Sequence, residues 1–203
     1  MNFKSLLWVT VFLSVLTWSA LAPADRLTWW MEVFPALLGF VILLKTRERF
    51  PLTGLVYLLI LIHSIILMVG GHYTYAEVPI GDWLRDLTSG ERNNYDKLGH
   101  LAQGFIPVMI AREIMIRKKV VASRGWLTFL LICVVLAVSA FYELIEWWAA
   151  LLSAEAADAF LGTQGYVWDT QSDMFWALCG AVLALLMLSR LHDRQIDGLT
   201  REP

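Results

Sequence analysis

The chain has 203 residues, of which 58% are hydrophobic and only 17% charged, with a mean hydropathy of +0.60. A soluble domain carries charge on about a quarter of its residues, so this composition excludes one and points to a single polytopic membrane domain. The net charge of −2 says little until its distribution is read, and no nucleic-acid signature, Gly-rich phosphate loop or G-x-S-x-G nucleophile elbow occurs.

Six apolar segments follow one another at 3–22, 29–44, 52–71, 96–116, 126–150 and 171–189. A bilayer crossing needs about 20 apolar residues. The pattern predicts an all-α fold of six transmembrane helices spanning residues 1–190, followed by a short, polar, frayed cytoplasmic tail over 191–203. The second segment is short, but Trp29, Trp30 and Lys45 extend it at the interfaces. In the first, Lys4, an apolar run and Ala20-Leu21-Ala22 also have the form of a signal peptide with its cleavage site. Five further spans favour its retention as an anchor. Cys133 and Cys179 both lie inside apolar runs, so neither a disulfide framework nor a CxxC site is expected.

Orientation follows from Lys and Arg. With the N-terminus cytoplasmic, the inner parts hold Lys4, Lys45, Arg47, Arg49, Arg117, Lys118, Lys119, Arg124, Arg190, Arg194 and Arg201. The outer parts hold only Arg26, Arg85 and Arg92. That bias puts both termini inside. Trp18, Trp29, Trp30, Trp83, Trp147, Trp148 and Trp168 then form an outer aromatic belt. In the outer loop 72–95, Trp83, Leu84 and Leu87 fit one face of a short surface helix, with an irregular polar loop as the alternative.

Three apolar helices carry polar stripes. Asp96, His100 and Gln103 share one; Ser139, Glu143 and Glu146 another; Asp169, Asp173 and Trp176 a third. Ionisable groups inside a membrane are costly and mark function. The topology gathers Asp96, His100, Glu143, Glu146, Asp169 and Asp173 into one layer facing the periplasm. Each has a plainer reading. Asp96, Asp169 and Asp173 fit helix N-terminal caps. His100 fits a packed histidine, and Glu143 a partner for Lys97 while Glu146 reaches the headgroups. Glu143 and Glu146 are the hardest to dismiss. They stand one turn apart near a helix C-terminus, where the dipole disfavours negative charge, and need a proton or a cation between them.

Glu32 and His72 read as interfacial residues, His63 as an interhelical hydrogen-bonding group, and Arg112 and Glu113 as snorkelling or paired. Carboxylates with an imidazole are ligands for a divalent cation, with His100, Glu143, Glu146 and Asp173 the candidate set. They are equally a general acid and base, or a proton relay. The expected function is binding of a cation or an envelope or lipid-linked substrate. The alternatives are a small proton- or ion-coupled transporter and a non-catalytic scaffold.

Four stretches carry a resemblance: 73–79 (YTYAEVP), 92–100 (RNNYDKLGH), 141–147 (FYELIEW) and 162–171 (GTQGYVWDTQ). They resemble the YjdF family of bacterial inner-membrane proteins over nearly the whole chain. That likeness implies a multi-pass inner-membrane protein and brings no activity with it. More loosely, Asp96-Lys97 with His100, Glu143 or Glu146, and Asp173 before Gly180-Ala181 are similar to VanZ-like membrane proteins. This likeness implies a cell-envelope role by analogy only. The extra glutamate and the long outer loops depart from that pattern.

Overall fold

A computed structural model describes residues 3–88, 92–152 and 167–201. Among the described residues seven α-helices run in chain order: α1 (Phe3–Ala20), α2 (Arg26–Thr46), α3 (Gly54–Tyr73), α4 (Pro79–Thr88), α5 (Tyr95–Arg117), α6 (Arg124–Leu152) and α7 (Asp169–Arg201). A single 3-10 turn covers Tyr75–Glu77. The protein is all-α among the described residues. Five helices are long and apolar enough to cross a membrane: α1, α2, α3, α6 over Arg124–Ala149, and α7 over Asp169–Leu199. The remaining long helix, α5, has 23 residues, roughly 35 Å at 1.5 Å per residue, but carries Asp96, Lys97, Arg112, Glu113 and Arg117.

The chain packs as two compact units. The first takes the residues up to Thr46, Leu61–Gly99 and the stretch from Glu146; the second takes Arg47–Ile60, His100–Ile145 and the stretch from Val167.

In the first unit Phe12, Trp29, Val33, Ala36, Leu67 and Met68 make the core, with Phe12 sandwiched against Trp8 and Phe40. Trp29 is therefore not a belt residue. It is 7% exposed and donates its indole N–H to Ser19 Oγ at 3.2 Å, because a buried indole needs an acceptor. His72 is likewise internal, its Nδ1 3.0 Å from the Ser19 carbonyl and its ring against Trp18.

Asp25 caps α2, its Oδ1 accepting the Thr28 N–H at 2.7 Å. That hydrogen bond is the main cause holding the Asp25 carboxyl below its usual range. The cap is thus fully formed at neutral pH and is lost as pH falls through the lowered value. Asp25→Ala is expected to cost about 1 kcal/mol, read as a lower Tm in detergent.

The loop helix is real. On α4 the side chains of Ile80, Trp83 and Leu87 are exposed, while Arg85 pairs with Asp82 and Asp86 on another face. Leu84 is among the side chains not described.

In the second unit α5 and α7 meet almost backbone to backbone. A Cβ added at Gly104 would land on the Ala177 carbonyl, and one added at Gly180 on the Leu101 carbonyl. Ala177, Ala181 and Ala184 are fully buried on α7, as small residues must be where helices approach this closely in lipid. His63, expected to bond between helices, makes no hydrogen bond among the described residues. The tail is not frayed either: α7 continues to Arg201, with His192 and Ile196 buried. Those two stand four apart on one stripe, which gives the last turns a face to pack.

Candidate functional site

The site is built on three helices of the second unit. From α5 comes His100, which is 6% exposed; from α7 Asp173, 3% exposed; from α6 Glu143, whose side chain is 8% exposed. His100 Nε2 lies 3.7 Å from Asp173 Oδ2, and Nδ1 lies 4.0 Å from Glu143 Oε1. Gln103, one turn further along α5, puts Oε1 3.2 Å from the same Nδ1. The Tyr142 ring stands edge-on to the imidazole at 6.5 Å.

Both ring nitrogens of His100 therefore face oxygen acceptors. A neutral imidazole has one donor nitrogen, so this setting suits either an imidazolium or a cation shared with the carboxylates. The two carboxylate distances are too long for hydrogen bonds and short enough for a bridging ion or water. Donor atoms around an ion with bonds of about 2.1 Å stand roughly 3.0–3.5 Å apart, so modest closure on one side of the ring would bring that nitrogen and its carboxylate to ligand spacing.

The stripes continue along the same helices. Asp96 stands one turn before His100 on α5 and Glu146 one turn after Glu143 on α6, both in stretches that belong to the first unit. Asp96 is not the cap of α5: the Asn93 side chain takes the Tyr95 N–H at 3.0 Å, and Asp96 pairs with Lys97 at 3.5 Å. Asp169 opens α7 one turn before Asp173 and is part-exposed. Glu32 is buried on α2, packed against α3 so closely that a Cβ added at Gly71 would lie 3.2 Å from the Glu32 Cβ. Ser139, one turn before Glu143 on α6, is fully buried, and its Oγ makes no hydrogen bond among the described residues. Pro107 on α5 removes the N–H that would bond the Gln103 carbonyl. Of the motif 162–171, residues 162–166 lie outside the described residues.

A second polar cluster escaped the sequence reading. Glu113 on α5 is fully buried and accepts four donors. These are the Thr53 N–H at 2.9 Å, the Thr53 hydroxyl at 2.7 Å, His192 Nε2 at 3.0 Å and Arg117 at 2.8 Å. His192 Nδ1 faces Arg112 at 3.2 Å, and Arg112 also donates to Asp193 at 2.7 Å. Arg112 and Glu113 are paired, as expected; Arg117 is a local partner one turn on, but Thr53, His192 and Asp193 come from 60 to 81 residues away. No local pattern announces such partners. The one available signal was His192 itself, a titratable group on the buried stripe of a helix assumed to have ended.

Residues 4–194 match the family described as "Predicted membrane protein (DUF2238)". The chain is 53% identical over 182 residues to the Inner membrane protein YjdF of Escherichia coli (strain K12), covering 90% of this chain and 87% of that protein. No solved structure matches. With the match running through α1 to α7 and the relative aligned along nearly its whole length, the chain belongs to the DUF2238 family of membrane proteins.

Proposed function

We propose that this multi-pass protein of the inner membrane binds a divalent cation on one ring nitrogen of His100, with Asp173 beside Nε2 or Glu143 beside Nδ1 as the carboxylate ligand. The occupant would serve to hold or process an envelope or lipid-linked substrate. In this reading the chain is one domain over 1–190 that crosses the bilayer six times with both termini cytoplasmic, and the acidic layer faces the periplasm. The exposed apolar side of α4 then lies in the outer headgroup region.

One observation carries the reading: a buried imidazole has a carboxylate from a different helix near each of its two nitrogens. Ionisable groups inside an apolar helix mark function, and an imidazole beside carboxylates is a ligand set for a divalent cation. Leu131, Val135, Ala181 and Ala184 are buried further along the same helices, which disfavours a continuous polar route for an ion through the unit.

The test is Mn2+ and Zn2+ binding to the purified protein in nanodiscs, by calorimetry and by the Mn2+ electron-spin signal. The wild type should bind with defined stoichiometry. His100→Ala should weaken binding by more than the roughly 10–100-fold typical of losing an outer-shell partner. Equal binding by wild type, His100→Ala and the double variant Glu143→Gln/Asp173→Asn would remove the site.

A further inference from the structure

The turn between α5 and α6 has a different chemistry from the acidic layer. α5 ends in a Schellman motif: Val120 N–H bonds the Met115 carbonyl at 3.0 Å and Lys119 N–H the Ile116 carbonyl at 3.0 Å. The left-handed position of that motif is normally glycine, but here it is Lys119, with φ 52°. A non-glycine residue held there costs of order 1 kcal/mol, and such strain concentrates at functional places. Lys118, Lys119 and Arg124 crowd this turn. Arg117 is taken by Glu113, whereas among the described residues no carboxylate pairs with Lys118, Lys119 or Arg124.

Next in the chain, around Arg124 at the start of α6, is an open groove of about 400 Å³ lined by Ser123, Gly125, Trp126 and Phe129. The Trp126 and Phe129 rings meet edge to face at 5.7 Å and are 61% and 57% exposed. Cations that no carboxylate neutralises, next to an uncovered apolar groove, call for an amphiphilic anion.

We propose that this turn and groove form a docking surface for one anionic phospholipid, its phosphate on Lys118, Lys119 and Arg124 and an acyl chain over Trp126 and Phe129. A zwitterionic lipid would fill the groove but leave the cations unmatched. A peptide would bring backbone polar groups that the apolar groove cannot satisfy. Juxtamembrane cations each add to anionic-lipid affinity, and three together amount to about a hundredfold.

Native mass spectrometry of the full chain, loaded with dioleoyl phosphatidylglycerol or dioleoyl phosphatidylcholine, tests this. Wild type should retain one phosphatidylglycerol at collision energies that strip phosphatidylcholine. K118A/K119G/R124A should retain the two lipids alike, and W126A should lose the bound lipid sooner than wild type. The single change Lys119→Gly separates binding from folding: relief of the left-handed strain should hold or raise Tm while phosphatidylglycerol retention falls. Equal retention of both lipids by wild type, undiminished phosphatidylglycerol retention by the triple variant, or displacement of the lipid by excess inorganic phosphate would each overturn the proposal.

Discussion

Gly104→Ala is expected to lower the Tm of the detergent-solubilised protein by roughly 6–12 °C, as the overpacking cost of about 3 kcal/mol in a chain of this size implies. The added methyl would meet the Ala177 carbonyl, which is backbone and cannot rotate away. α5 and α7 must separate, and with them His100 and Asp173. Cation binding should therefore fall together with stability. Gly39→Ala is the control. Nothing lies within 4 Å of a Cβ there, and alanine favours a helix interior, so that variant should be neutral or slightly stabilised. A Gly104→Ala protein as stable as wild type would mean that the two helices are not in backbone contact.

Glu113→Ala is expected to cost about 3–5 kcal/mol, the range for removing one partner of a buried ionic network. The substitution strands the Thr53 N–H and hydroxyl, His192 Nε2–H and one Arg117 contact at once. Thr53→Ala removes only a hydroxyl and should cost about 1 kcal/mol. The comparison is made by thermal unfolding in detergent. Because this cluster shares no residue with the His100 site, a protein weakened at Glu113 but still folded should bind cations as wild type does. Equal losses from Glu113→Ala and Thr53→Ala would show that the carboxylate is not the hub.

The helices were legible because lipid imposes a length and a composition that a sequence displays openly. The six apolar segments all correspond to long helices, and Asp96, His100 and Glu143 stood out because ionisable groups are rare in such company. Long-range pairing was not legible. Thr53 and His192 look unremarkable along the chain, and only the folded unit brings them to Glu113. Trp29 was misread because an interfacial and a buried tryptophan look alike in sequence; the acceptor Ser19 separates them. The end of α7 was misread because polar residues there suggested fraying, while His192 and Ile196 supply a buried face. Gly104 and Gly180 were visible as small residues, but the carbonyl lying over each was not.

The backbone contact at Gly104 and Gly180 also limits how the unit can move. Each glycine accepts the opposing helix's carbonyl at one height only, and a slide by one residue would drive a side chain into that carbonyl. α5 and α7 must therefore travel as one rod. Any opening that exposes His100 has to come from swinging that rod, or from tilting α6 with Glu143 away from it, and not from a piston stroke of one helix past the other.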